Sequence, residues 1–376
     1  MNLRERLVLP GPKRILALDG GGIRGALTTG VLHEIEKVIR QRHNRPDMRL
    51  CEYFDLIGGT STGSIIAACL AVGMEASEIS RLYLELGGKV FGSKKIKTWE
   101  ARFKSKPLVK ELRKLFGDIT LGGEEIKTGL CIVTKRADTG SIWPLINHPD
   151  GAFFEDNRDI LLRRAVRASA AAPIFFEPLQ LDLGGGQVGT FVDGGVSMAN
   201  DPSLRLFLVA TLRGFPFRWH TGADQLMMIS LGTGTWTFSA DADRIARSKA
   251  WDWAVQVPQM LMADAHWQNQ LLLQYLSQSP TATEIDAEVG DLGNDLLGAE
   301  PHLSYVRYDV RLEEHSLERL GLGELAGRAS SLRQMSEAKN RFDLAKIGER
   351  AGAELVKAEH FSRAFDVHDS SDSGRA

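Results

Sequence analysis

The chain has 376 residues, with 46 Lys and Arg against 48 Asp and Glu, a formal net charge of −2, and 43% hydrophobic residues. This near-neutral balance excludes a general nucleic-acid binder, which would carry a strong basic excess. The length accommodates one large α/β domain or two smaller ones. The N-terminal stretch MNLRERLVLPGPKR lacks the apolar segment of a signal peptide, and no apolar run approaches the roughly 20 residues of a bilayer span. A cytoplasmic location is expected. The three cysteines, Cys51, Cys69 and Cys131, lie far apart without metal-ligand spacing and read as buried thiols.

In chain order, the first strand candidate is RILALD (14–19), followed by the glycine-rich DGGGIRG (19–25). Leu27, Val31, Leu32, Ile35, Val38 and Ile39 then recur at helical spacing. Further strand candidates are YFDLIGG (53–59), GLCIVTKR (129–136), GTFVDGG (189–195) and QLMMISLG (225–232), separated by helix-like stretches. That alternation predicts an α/β sheet flanked by helices. From about 240 to 277 the pattern is helical, 281–300 reads as a loop, SYVRYDVRLEE could be one more strand, and 317–363 is mainly helical. No junction has the composition of a linker. The expected organisation is a catalytic core over 10–240, a mainly helical section over 241–365 packed on it in the same domain, and a disordered tail at 366–376.

Three consecutive glycines cost backbone entropy and demand a close approach to offset it. Gly20, Gly22 and Gly25 fit the dinucleotide-binding spacing G-x-G-x-x-G between a strand and a helix. That motif also needs an acidic residue at the end of a second strand about 20 residues on. Glu34 and Glu36 fall inside the helical stretch instead, and Asp55 precedes its apolar run. The other reading is a concave anion site. Backbone N–H groups at a helix start, with Arg24 nearby, would hold the oxyanion of an acyl-transfer intermediate.

Such a hole needs a nucleophile. Residues 59–63 read Gly-Thr-Ser-Thr-Gly, between the strand YFDLIG and the helical SIIAACLAVGM, which is the context of a nucleophile elbow. Gly59 and Gly63 allow the tight turn, and Ser61 sits at its tip. None of the nine histidines has a local signature of a base. Asp193 in FVDGGV, at a strand end before two glycines, can be either a hairpin turn or a carboxylate placed to accept a proton directly.

Taken together, DGGGIRG, GTSTG and DGG, in this order, resemble the patatin-like phospholipases, a family of lipid acyl hydrolases. The stretches KPLVKELRKLFGDITL (106–121), ASAAAPIFFEP (168–178), SLGTG (230–234) and YVRYDV extend the resemblance over nearly the whole chain, to about residue 350. The resemblance implies a three-layer α/β/α sandwich and an ester hydrolase using a Ser–Asp dyad and an acyl-enzyme. Ser61 would be the nucleophile and Asp193 its only base. Gly20, Gly21 and Gly22 would supply oxyanion-hole donors, with Arg24 near the site. No metal or other cofactor is implied. The substrate would be a phospholipid or another lipid ester.

Between Lys89 and Lys114 basic residues are interleaved with apolar ones, a pattern that suits peripheral contact with an anionic membrane as well as it suits a solvated helix face. Two further readings stay on the table: a nucleotide-binding oxidoreductase using the glycine turn, and a signal-regulated phospholipase serving membrane attack or defence.

Overall fold

The computed structural model describes residues 2–92, 103, 105–237, 246–284 and 295–367. The described strands form a mixed sheet. Lys13–Leu18 (β1), Leu56–Thr60 (β2), Gly129–Arg136 (β3), Ser141–Ile146 (β4), Leu179–Asp182 (β5), Val188–Asp193 (β6), Leu226–Leu231 (β7), Ser277–Gln278 (β8) and Leu303–Tyr308 (β9) lie in the order β5-β6-β3-β2-β1-β7-β9-β8, with β4 also on β3. The central strands are parallel, whereas β4, β5 and β6 pair antiparallel.

Side chains alternate across a strand, and here the alternation divides two cores. Ile15, Ala17, Leu56, Cys131, Val133 and Met228 face one core, shared with Leu206 and Val209 of the helix Ser203–Thr211. Leu16, Leu18, Ile57, Leu130, Ile132 and Ile229 face the other, beneath the helices Gly25–Arg42, Thr62–Ala71, Ala76–Phe91 and Leu162–Ser169. Burial on both faces explains why these strands read as continuous apolar runs. The architecture is the expected three-layer α/β/α sandwich.

Three strands of the sheet escape the sequence reading, among them the two-residue β8 at the end of the stretch read as helical. β4 contains Pro144, which argues against a strand but is tolerated on an edge such as this one. β5 is the four-residue segment LQLD, too short to show a period.

The C-terminal section extends the sheet through β8 and β9 and covers one face with the helix Arg341–Leu355. That helix packs against Gly25–Arg42 at backbone contact: a Cβ on Gly348 would sit 2.0 Å from the Leu27 carbonyl oxygen, and one on Gly30 would sit 2.4 Å from the Glu349 nitrogen. Asp366 and Val367, placed in the tail by the sequence, are held on the core. Asp366 accepts a hydrogen bond from Arg42 Nη2 at 3.1 Å and Val367 packs on the core, because an ion pair and an apolar contact hold them. Residues 368–376 lie outside the described residues.

The register of β3 fixes the position of the candidate site. Val133 pairs with Pro144 of β4 and with Thr60 of β2, while Thr134 pairs with Trp143 of β4 and with Asp193 of β6. Since β4 holds one edge of β3 across both rungs, β2 and β6 must share the other. They run in opposite directions and end on adjacent rungs. Ser61, the residue after β2, and Asp193, the last of β6, are thereby brought face to face.

Candidate active site

Ser61 occupies the turn between β2 and the helix Thr62–Ala71 with φ 53° and ψ −119°. A non-glycine residue in that region is strained, and such strain persists only where surrounding structure enforces it. The enforcement is visible. A Cβ on Gly59 would lie 2.2 Å from the Gly63 carbonyl carbon, and one on Gly63 would lie 2.1 Å from the Leu18 carbonyl oxygen. Only glycines fit where the turn folds back on itself against β1. The Ser61 N–H donates to Ser169 Oγ at 2.8 Å, and the Ser169 hydroxyl donates to the Val133 carbonyl at 2.6 Å. Ser169, at the end of the helix Leu162–Ser169, thus ties the elbow to β3.

The Asp193 carboxylate is buried, 3% exposed. Burial pushes its pKa up to about 6, against the pull of hydrogen bonds from the Ser61 hydroxyl and the Gly195 N–H and the charge of Arg167. The Gly195 N–H donates to Asp193 Oδ1 at 2.7 Å. Gly194 has no room for a side chain, since a Cβ there would meet the Val133 carbonyl oxygen at 2.6 Å. The DGG segment is therefore a short 3₁₀ turn after β6 and not the apex of a hairpin.

The glycine loop follows β1 on the neighbouring strand. Gly20, expected as an oxyanion donor, has its N–H committed to the Asn200 carbonyl at 3.0 Å. Its own carbonyl accepts from Thr233 Oγ1 and from Asn200 Nδ2. The N–H groups of Gly21 and Gly22 have no acceptor among the described residues. Gly22, at φ 58°, lies under the Met335 carbonyl, which takes the Ile23 N–H at 2.8 Å. Arg24, expected near the reacting groups, is buried elsewhere. It donates to the Gly234 carbonyl at 3.0 Å and stacks over Trp236, and burial lowers its pKa to about 10. Its guanidinium braces the loop after β7 and does not line the cavity at Ser61.

Beneath this loop lies an ionic cluster that the sequence reading missed. Arg307 of β9 grips Asp19, with Nη2 at 2.6 Å and Nη1 at 3.0 Å, and reaches Ser230 at 2.6 Å, Asp309 at 2.8 Å and Asp201 at 3.4 Å. Asp19 immediately precedes Gly20, and Asp201 follows Asn200. One guanidinium therefore straps the glycine loop to the segment that follows Asp193. Asp19, Asp201 and His266 have ligand atoms within 4.8 Å of one another, but Arg307 already pairs with both carboxylates. In the sequence, the available signal was an arginine inside the apolar strand YVRYDV, where an unpaired charge would be costly.

Ser61, Asp193, Gly21, Gly22, Gly195 and Asn200 meet at one end of a cavity of about 210 Å³. Its remaining wall is mostly apolar, with Ile65, Leu86, Val90, Leu108, Phe175 and Phe176 beside Tyr83 and Ser336. No histidine is among its lining residues. Asp193 is the one carboxylate among its described lining residues.

A domain model for the patatin-like phospholipases matches residues 16–204, half of the chain, a span that contains the glycine loop, the elbow and Asp193. The chain belongs to the patatin-like phospholipase family. Patatin group J-1 of Solanum tuberosum is 27% identical over 277 residues, covering 66% of this chain and 68% of that one. A cGAMP-activated phospholipase of Vibrio cholerae serotype O1 is 33% identical over 205 residues, covering 50% of this chain and 55% of its own. Among solved structures, VipD from Legionella pneumophila aligns over 90% of this chain and 67% of that one, with 12% identity and a TM-score of 0.37. Among the described residues no helix is long and apolar enough to cross a membrane.

Proposed function

We propose that this chain is a lipid acyl hydrolase that cleaves carboxylic esters through a Ser61–Asp193 dyad. The observation that carries the reading is that Ser61, on its strained elbow after β2, and the buried Asp193 carboxylate, ending β6 on the next rung of β3, line one largely apolar cavity. The acyl chain would occupy the apolar wall, with the ester carbonyl against Ser61. Ser61 Oγ attacks the carbonyl carbon as its proton passes to Asp193, and the tetrahedral oxyanion lies against the free N–H groups of Gly21 and Gly22. Collapse expels the alcohol, which takes the proton from Asp193. A water then attacks the acyl-Ser61, Asp193 accepts its proton, and Ser61 leaves with that proton as the fatty acid departs.

Ser61→Ala and Asp193→Asn should each lower fatty-acid release from phospholipid or nitrophenyl ester on the order of 10³-fold or more. A fluorophosphonate probe should label Ser61 in the parent chain. Near-parent turnover in either pure variant removes that residue from its role. The nucleotide-oxidoreductase reading is disfavoured because the glycine loop faces Ser61 and its first N–H is already bonded within the protein.

Contact with the membrane through residues 89–114 belongs to the same proposal. The helix Ser105–Phe116 exposes Lys106, Lys110, Arg113 and Lys114, although Glu111 pairs with Lys89 and Lys114. Lys94, Lys95, Lys97, Trp99 and Arg102 lie outside the described residues. A signal-regulated enzyme is a second reading, favoured by the cGAMP-activated Vibrio relative. A change in turnover on adding cGAMP would support it, and unchanged turnover and binding would dismiss it.

A further inference from the structure

One turn at the cavity mouth combines two features that each cost a free protein something. Ile174 has φ 73°, a region that β-branched side chains avoid. It is also 80% exposed, the most exposed of the large apolar side chains described. Its neighbours Pro173 and Phe175 line the cavity at Ser61. The Phe175 carbonyl accepts the Phe103 N–H at 3.0 Å, and the two rings stack at 6.0 Å. The turn is thus anchored from inside while it displays Ile174 outward. Val196 and Met335, which also line the cavity, are 47% and 37% exposed. The helix Ser105–Phe116 begins two positions after Phe103 in the chain. Its Leu108 reaches the same cavity, and its outer face presents Lys106, Lys110 and Arg113.

We propose that this mouth docks on an anionic bilayer, with Ile174 inserted among the acyl chains and the cations of the Ser105–Phe116 helix against the headgroups. An apolar tip flanked by lysines and arginines matches the two layers of such a surface in polarity and in charge. Docking there would place the cavity entrance at the acyl layer, so that a lipid could slide in without crossing water. The proposal rests on the acyl-hydrolase reading for its purpose, but docking can be measured without turnover.

The experiment uses the full chain carrying Ser61→Ala, sedimented with phosphatidylcholine vesicles with and without phosphatidylglycerol. Ile174→Asp is expected to weaken binding at least about ten-fold, the worth of one buried isoleucine side chain. Ile174→Gly is expected to raise the melting temperature, since glycine takes this φ freely, and still to weaken vesicle binding. Lys106→Glu with Lys110→Glu should weaken binding only where phosphatidylglycerol is present. With Ser61 restored, Ile174→Asp should slow hydrolysis of vesicles and leave a short soluble ester unaffected.

Vesicle binding by Ile174→Asp equal to the parent overturns the proposal, as does a concentration-dependent dimer that Ile174→Asp abolishes, which would assign the surface to a second copy. Intact docking with no hydrolysis by the parent chain would instead overturn the acyl-hydrolase reading alone.

Discussion

Asp193→Asn should stabilise the protein at neutral pH while it removes activity. The carboxyl group titrates near the ordinary 3.8 in the unfolded chain and at about 6 in the folded one, where burial is the largest cause. Between those values the folded state holds a proton that the unfolded state has released. Stability contributed by this group is therefore complete below about pH 4 and is lost as pH rises through 6. A shift of that size corresponds to about 3 kcal/mol, of which part is lost by pH 4, so the gap between the asparagine variant and the parent should widen by roughly 2–2.5 kcal/mol from pH 4 to pH 7.5. Urea denaturation of both proteins at intervals across that range measures it. Every other titrating group is common to the two and cancels in the difference. Two stability curves that stay parallel from pH 4 to pH 7.5 would refute the raised pKa, and with it the reason for expecting Asp193 to work as a base near neutrality.

Gly63→Ala should abolish activity and destabilise the fold by about 1–3 kcal/mol or more, read by thermal denaturation, because its Cβ would lie 2.1 Å from a β1 carbonyl oxygen. Ser169→Ala leaves the Ser61 N–H without its acceptor, at a cost of about 1–3 kcal/mol. Turnover of a soluble ester should drop roughly ten-fold or more, with little change in KM. Arg307→Met leaves Asp19, Asp201 and Asp309 facing one another, and urea titration should record a loss of about 3–5 kcal/mol.

The parts of this molecule that were legible in the sequence are those with a local signature. Strands buried on both faces announce themselves as apolar runs, which is why β1, β3 and β7 are found almost to the residue. The glycines at 59 and 63 are legible because a strained elbow tolerates nothing larger. Gly20 shows the limit of such reasoning. The motif marks three consecutive N–H groups, but whether each is free depends on Asn200, 180 residues away and joined to it only by the fold. Arg24 fails for a related reason: a charge near a motif in sequence can turn to another layer, and Gly234 and Trp236 take this one. Ser169 and Arg307 act through hydrogen bonds and ion pairs across distant segments, and no spacing rule detects either. Even the meeting of Ser61 with Asp193 depends on β6 joining the same edge of β3 as β2, which is a fact of topology.

In the proposed mechanism, that topology is what would let a carboxylate serve where a histidine is usual. An aspartate in water is too weak a base to take a proton from serine effectively; its pKa must rise. Packing it on the rung next to the elbow removes it from water, and burial raises the pKa. The rise must also be bounded, or the group would stay protonated at neutral pH. Arg167, in the helix that ends at Ser169, supplies one opposing pull by its charge. Its Nη2 donates to the Glu177 carbonyl at 3.0 Å, and its guanidinium lies over Phe176, so it is held in place independently of Asp193. Arg167→Met should therefore shift the acid limb of the kcat/KM profile for a soluble ester upward from about pH 6. Arg167→Lys, which keeps the charge, should return the limb toward the parent position, a rescue that a packing role alone would not produce. An acid limb unmoved in the methionine variant would mean that Arg167 only supports Phe176, and that the hydrogen bonds from Ser61 and Gly195 alone keep the buried carboxylate ionisable.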